Sequence, residues 1–474
     1  MSDMDSNPFE YLTVKFLDAA TGVAIKSTIS LIHSSPLSAR SPDLCMLWHP
    51  GYRKRHSLRL FVESTASLVA AFFKGIVKLL ISPRSFGYAL YGVIGESILV
   101  ITSMCGSETP DGTYKTPYIE TEENDALFVF GLMKDCGRNQ KTVNELSVID
   151  KVVLTCALFR IGISAFITIK GAKLEKSLLL LNWLTWAVSL QWLHNYYLEE
   201  TLSEIVKRYG IKKIGCIHEM HFYSRVVWRV AARYNCKGYT IQHAAFSPGK
   251  RWYFCFPEEL EGGLKLPDVM YVYSEKVSDL LKQYYKNTSF YLGCSARYAH
   301  WKDVARSDKR GGCFLFVGAL ARFDNDVLIS ALRKIADTSH ENAPLRLRLH
   351  PFADLSRWSK RWIRSSQGKG IISISKGTSL RDDIENSAAV IGMSTTVLEE
   401  ALIIGRPVIQ ITHPEYLEYI DIDGIEGVKK MDYMDLSFKA LSDIAGHRVD
   451  SDEMRNRLGL NNPVITYKRL FENE

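Results

Sequence analysis

Short apolar strands alternate with amphipathic helices over more than half of this chain, and that alternation constrains the fold more than any other feature. After a helix at Leu202–Tyr209 come a strand at Lys213–Ile217, a helix at Ser224–Tyr234 and strands at Gly238–Gln242 and Asp268–Tyr273. A helix at Glu275–Tyr285 and a strand at Ser289–Leu292 complete this run. A polar linker, Trp301–Gly312, ends in Lys309-Arg310-Gly311-Gly312, and the alternation then restarts. Strands are expected at Cys313–Val317, Leu345–Leu349, Ile371–Ser375, Ala388–Ile391 and Pro407–Ile411. Helices are expected at Asp324–Thr338, Ser379–Asn386 and Thr395–Ile404, with further helix at Lys439–Asp443 and along Asp452–Phe471. Strands joined by single short helices are crossover units, so each run predicts a parallel, doubly wound sheet covered by helices.

The expected architecture is therefore α/β, with two Rossmann-like lobes whose parallel sheets face across a cleft. Residues 1–300 form the first lobe, 310–445 the second and 446–474 a helical tail. At roughly 100–200 residues per domain, 474 residues suffice for two large cores. The first 125 residues are less regular. Glu10–Phe16 and Val23–Ile32 read as strands and helix starts, Glu108–Asp125 as a loop, and Ala126–Leu132 as a buried strand. The composition, 46% hydrophobic and 23% charged, excludes disorder over most of the chain.

The net charge of +7 is mild. It lacks the clustered stripes of a nucleic-acid coat and suits an anionic small substrate or an anionic membrane surface. Nine scattered cysteines without a CxxC pair predict free thiols in a reducing compartment. The N-terminus has no basic segment followed by an apolar core, so the expected location is cytoplasmic.

Three apolar stretches bear on membrane contact. Ser64–Ile81 carries Lys74 and Lys78 four residues apart, hence on one helical face. Phe86–Met104 is interrupted by Glu96 and by Gly and Ser residues. Ser177–Leu193 has a narrow polar stripe of Asn182, Thr185 and Ser189. None is both long and clean enough for a span. Each is either a core helix or a helix lying on a membrane face, with Trp186 and Trp192 at headgroup level. The nearby run Arg53-Lys54-Arg55-His56 with Arg59 supports anionic lipid contact.

Ligands of doubly wound sheets sit beyond the carboxyl ends of the strands, which directs attention to the residues there. Gly392-Met393-Ser394-Thr395-Thr396 leads from a strand into a helix bearing Glu399 and Glu400. Ser394, Thr395 and Thr396 suit either an ordinary N-cap or a phosphate site, and Glu400 could accept from a sugar hydroxyl. His350-Pro351 closes the strand LRLRL amid Arg346, Arg348, Arg357, Lys360, Arg361 and Arg364. Gly318 follows the strand CFLFV, with Arg322 four residues on. In the first lobe, His218-Glu219-Met220-His221 follows KIGCI, and Gln242-His243 closes GYTIQ. The HExxH spacing is absent, so no metal site is read there. A Glu and a His at adjacent strand ends suit general acid/base work, with Glu219 as base or nucleophile and His243 orienting it or polarising the acceptor.

Ile217–Tyr298 resembles a family of bacterial surface-carbohydrate biosynthesis proteins. The ordered set is Glu219, Trp228, Gln242-His243, Leu266-Pro267-Asp268, Ser274-Glu275, and Gly293 with Arg297-Tyr298. The second lobe is similar to GT-B glycosyltransferases. There His350-Pro351 with Ser394-Thr395 resembles the paired motifs of bacterial sialyltransferases and capsular Kdo transferases. The acidic motif of the sialyltransferases has no clear match, and residues 1–200 match nothing. The resemblance implies transfer of a CMP-activated ulosonic acid to a surface polysaccharide or glycolipid. His350 would hold the phosphate and Ser394 and Thr395 the phosphate or ribose. The expected donor site is Gly318, Arg322, His350, Pro351, Ser394, Thr395, Thr396 and Glu400. Gln242 and Arg297 would meet the acceptor. No metal cofactor is expected. The partners are a nucleotide-sugar donor, a glycan acceptor and the inner membrane face, with no nucleic acid. An enzyme of UDP-GlcNAc 2-epimerase type and a non-catalytic partner in glycan assembly are the alternatives.

Overall fold

A computed structural model describes residues 8–24, 50–80, 87–91, 98–102, 107–108, 114–115, 128–131, 141–142, 146–171, 173–217, 222–243, 246–247, 249–250, 253–255, 257–304, 311–338, 344–414, 416 and 418–472. The chain divides into two compact units. One comprises Met1–Ala244, Lys250–Arg297 and Val464–Glu474, and the other Ala245–Gly249 with Tyr298–Pro463.

The first unit opens with helices α1 (Pro8–Val23) and α2 (Pro50–Leu80). Strands β1 (Gly87–Tyr91), β2 (Ile98–Thr102), β3 (Ser107–Glu108), β4 (Tyr114–Lys115), β5 (Phe128–Gly131) and β6 (Lys141–Thr142) follow. Three helices come next, α3 (Val148–Thr168), α4 (Lys173–Val188) and α5 (Trp192–Tyr209). The remaining elements are β7 (Lys213–Ile217), α6 (Phe222–Arg233), β8 (Lys237–Ile241), β9 (Val269–Val272), α7 (Glu275–Lys282) and β10 (Ser289–Leu292). The sheet order is β10-β9-β8-β7-β2-β5-β1-β6. It is parallel from β10 to β5, while β1 and β6 are antiparallel additions at one edge. Chain order reverses between β7 and β2, which makes that pair the switch point of the sheet.

Of the two segments that read as strands and helix starts, Glu10–Phe16 lies inside α1. Phe86–Met104 is not a helix, since it holds β1 and β2. Ser177–Leu193 is core. Trp186 is 3% exposed and Trp192 is fully buried, so of the two readings the core helix holds and neither ring stands at a lipid headgroup. Trp183 is also fully buried, and its indole N–H donates to the Leu158 carbonyl at 2.8 Å. Two glycines let helices close on α4. A Cβ at Gly162 would stand 2.4 Å from the Trp183 ring, and one at Gly75 would stand 1.9 Å from the Val188 carbonyl oxygen. The sequence reading passed over α3, an apolar helix as long as a membrane span that keeps much of one face in solvent.

The second unit is more regular. It runs β11 (Cys313–Val317), α8 (Arg322–Thr338), β12 (Leu345–Arg348), α9 (Arg357–Gly368), β13 (Ser373–Ile374) and α10 (Leu380–Glu385). It continues with β14 (Ser387–Gly392), α11 (Val397–Ile404), β15 (Val408–Thr412), β16 (Val428–Asp432), α12 (Phe438–Ala445) and α13 (Ser451–Arg457). The order β13-β12-β11-β14-β15-β16 is parallel throughout. Counted from β11 this is 3-2-1-4-5-6, the doubly wound dinucleotide-fold order, with its switch point between β11 and β14. Leu315, Phe316, Val390 and Ile391 are buried along those two strands, as near-continuous apolar runs must be when helices cover both faces.

The segment expected to be a separate tail is shared. Its α13 belongs to the second unit, while α14 (Tyr467–Glu472) belongs to the first. There Phe471 packs edge-on against Tyr239 at 5.0 Å, and Lys213 Nζ donates to the Phe471 carbonyl at 2.6 Å.

Candidate nucleotide-binding site

A connection leaves the carboxyl edge of the second sheet after each of its six parallel strands, and hydrogen bonding ties two of them together. The Gly318 N–H donates to the Arg348 carbonyl at 2.8 Å, which continues the β11–β12 ladder one residue past the strand. A side chain at Gly318 would meet Asn325 Oδ1 at 2.9 Å. Asn325 is fully buried in the first turns of α8. Its Oδ1 accepts from the Ala319 N–H at 2.9 Å, and its Nδ2 donates to the carbonyls of Ala319 at 3.0 Å and Asp354 at 2.8 Å. One amide thus fixes the loops after β11 and β12. Asn325→Ala is expected to lower stability by about 2–3 kcal/mol, because it orphans several buried backbone groups. A chemical-denaturation midpoint unchanged by this substitution would show that the loops hold themselves.

His350 and Pro351 lie exposed at the end of β12. His350 Nδ1 accepts from the Phe352 N–H at 3.1 Å. That bond leaves the proton of the neutral ring on Nε2, which is then a donor. Phe352 is exposed beside it, at 80%, and Leu320 is 61% exposed in the loop after β11. Arg322 begins α8 with its side chain in solvent and Nε 3.8 Å from Asp326 Oδ2.

Two of the six cations that surround His350 in the sequence are already paired. Arg346 and Arg348 pair with Asp383, a fully buried carboxylate that also accepts from Ser375 and, at 2.8 Å, from Thr378. Burial alone would raise its pKa, but the hydrogen bonds from Ser375, Arg348 and Thr378 outweigh burial and hold it low. These two arginines serve the β12–β13 side of the sheet. Arg357, Lys360, Arg361 and Arg364 lie exposed on α9.

At the switch point, Val317 pairs with Gly392. A Cβ at Gly392 would stand 2.9 Å from Val317 and 2.8 Å from Thr395, so glycine is required for the close turn into α11. Ser394, Thr395 and Thr396 are half-buried there. The cap differs from the sequence expectation. Thr396 has helical backbone and makes no side-chain capping bond, while Thr395 Oγ1 accepts from the Val397 N–H at 3.4 Å. Glu400 is half-buried, and Glu399 is fully buried with Oε2 3.5 Å from the Tyr298 hydroxyl. The ends of β12 and β14 flank β11. Two strand spacings, about 10 Å, therefore separate the origins of the His350 and Ser394 loops.

Asp324 went unnoticed in the sequence, because an acid in the first turn of a helix is ordinarily a solvated partner of the dipole. Here it is only 4% exposed, and its Oδ1 has no hydrogen-bond partner. Burial pushes its pKa up to about 7, against a hydrogen bond to Tyr416 that lowers it. Tyr416 follows β15 and stacks on Phe323 at 4.7 Å. His413 meets Phe323 at 5.0 Å and stacks on Tyr433 at 5.3 Å.

In the first unit, Glu219, His218 and His221 lie outside the described residues. Their preceding strand, β7, borders the switch point. Gln242 is fully buried, and its Oε1 accepts from the Tyr273 N–H at 3.1 Å. It therefore braces β9. His243 has a pKa lowered to about 3 by burial, with Lys250 and Arg297 adding repulsion. It is a neutral imidazole at physiological pH. Arg297 is half-buried beside it, and its backbone N–H donates to Ser295 Oγ at 3.3 Å.

No protein-family model matches the chain, and no curated protein matches it. Among solved structures, a UDP-N-acetylglucosamine 2-epimerase aligns with 58% of this chain and 74% of its own, at 11% identity and TM-score 0.35. The Methanocaldococcus jannaschii UDP-GlcNAc 2-epimerase, solved with UDP-GlcNAc and UDP, covers 56% of this chain and 79% of its own, at 10% identity and TM-score 0.37. The glycosyltransferase SnogD from Streptomyces nogalater covers 57% and 78%, at 14% identity and TM-score 0.34. At scores this low the overlap does not define this chain's fold, which rests on its own strand order.

Proposed function

We propose that the protein is a glycosyltransferase of GT-B type that binds a nucleotide-sugar at the carboxyl edge of the second sheet. The observation that carries this reading is the 3-2-1-4-5-6 order, which brings the Gly318 loop and the Gly392–Thr396 turn to one switch point. The helix α11 then offers N–H groups and hydroxyls to an anion, and His350 offers Nε2–H. Arg322 is placed on the same edge to offset charge on a departing nucleotide. The donor in this reading is a CMP-activated ulosonic acid. The acceptor is a growing or lipid-linked surface glycan at the cytoplasmic membrane face. Glu219 acts as base or nucleophile. His243, being neutral, orients Glu219 or polarises the acceptor and does not serve as a cationic acid. The phosphate contacts are all protein groups, so the reading requires no metal cofactor.

A ligand that binds only the folded chain raises its melting temperature, by about 2.7 kcal/mol of stabilisation at a hundredfold excess over Kd. In a screen of CMP, UDP, GDP and ADP, CMP is expected to give the largest shift, and His350→Ala and Ser394→Ala to reduce it. A larger shift with UDP transfers the donor to the uridine class, and no shift with any nucleotide sinks the reading. CMP release with a glycolipid acceptor, set against turnover of free UDP-GlcNAc, separates transferase from epimerase. Glu219→Ala should abolish transfer and keep the nucleotide shift.

A further inference from the structure

We propose that α2 and α3 present adjoining apolar faces that lie in the headgroup boundary of an anionic lipid bilayer. α2 carries three strips. The first is buried, includes Leu60 and Ala71, and closes on α4 through Gly75 against Val188. The second is apolar and in solvent: Phe61, Val62, Val69, Phe72, Phe73 and Ile76 recur at helical spacing and are 37–63% exposed. The third is polar, with Arg59, Glu63, Ser67 and Lys74 all exposed. α3 repeats the design. Leu158, Ile161, Gly162 and Ala165 face inward, where Gly162 meets Trp183, and Ile149, Val153, Phe159 and Ile167 face solvent at 42–74%. Both helices pack on α4 and touch each other.

An exposed apolar face needs an occupant, and the charge pattern selects lipid. The sequence of α2 holds Arg53, Lys54, Arg55, Arg59, Lys74 and Lys78 against one acid, Glu63. Lys170 and Lys173 lie exposed just beyond α3, and Lys176 sits over the Phe166 ring at 4.9 Å. Cations beside an apolar helical face match anionic headgroups over acyl chains. His56–Val77 and Val148–Thr168 are each long and apolar enough to cross a bilayer. The polar strip along α2 and the inward strips held against α4 instead keep the helices in the plane of the surface.

This inference deepens the membrane-face part of the proposed function and uses neither the donor nor the transfer step, so its failure would leave the nucleotide reading standing. The full chain is floated with vesicles of phosphatidylcholine mixed with phosphatidylglycerol, and with phosphatidylcholine alone. Binding is expected to the mixed vesicles, to fall with added salt, and to be reversed by alkaline carbonate. The double substitution Phe72→Glu with Phe73→Glu, at exposed positions, should cut the bound fraction at least about tenfold. Val152→Glu with Val153→Glu on α3 should do the same, with circular dichroism unchanged in both. Three results overturn the proposal: no flotation, retention after carbonate as for a crossing helix, or a stable dimer by light scattering that these substitutions convert to monomer.

Discussion

Raising the pH from 4 to 8 is expected to destabilise the second unit, and Asp324→Asn to remove that loss. In the unfolded chain Asp324 titrates near its ordinary 3.8, and in the folded unit at about 7. Below pH 4 the acid is protonated in both states and its contribution is fully present. As pH rises, the unfolded chain releases the proton first, so stability is lost until the folded acid also ionises, near pH 7. At about 1.4 kcal/mol for each tenfold difference in proton affinity, the loss approaches 4 kcal/mol at pH 8. Asparagine has the same shape, accepts from Tyr416 and cannot ionise. The variant should therefore melt with the parent at pH 4 and well above it at pH 8. A difference that does not change across this range would mean that Asp324 ionises like a solvated acid.

Acid should act oppositely on the first unit. His243 titrates near 6.5 when unfolded and at about 3 when folded, because burial and the nearby Lys250 and Arg297 disfavour its cation. Its contribution is fully present above pH 6.5 and is lost as pH falls from there to about 3. The span corresponds to at most about 5 kcal/mol, reduced because the ring keeps some solvent contact. Denaturant midpoints followed from pH 7 to pH 4 should fall for the parent and much less for His243→Gln. Equal slopes would show that the imidazole is already solvated. Two units with opposite pH responses also predict that one melting transition splits into two at the extremes, which a single two-state fit would not describe.

The second unit was the more legible from sequence. Cys313–Val317 is β11 as expected, and the other expected strands fall within a few residues of β12, β13, β14 and β15. β11, β14 and β15 are largely apolar and β12 alternates Leu with Arg, each bounded by polar turns, patterns that local chemistry dictates. β16 was missed because Val428–Asp432 is half-buried and lysine-bearing, as an edge strand can be. In the first unit, β1 and β6 join the sheet through antiparallel pairings that no local pattern announces. The strand-end glycines were also legible, since Gly318 and Gly392 punctuate strands, and so was His350, which a proline follows. The partners were not. Arg346 and Arg348 read as free cations because Asp383 is remote in sequence, and burial beside them is what binds all three.

By itself the sequence determined where strands and helices alternate, how many times, and which hydroxyls, glycines and histidines close them, because periodicity and turn chemistry act over a few residues. Only the tertiary structure decided strand order and burial. It put Ser177–Leu193 inside and left the apolar faces of α2 and α3 outside, although all three stretches carry long apolar runs. It also turned a routine helix-start acid, Asp324, into a group poised near neutrality. Both outcomes depend on which surfaces exclude water, and that is set by contacts between residues far apart along the chain.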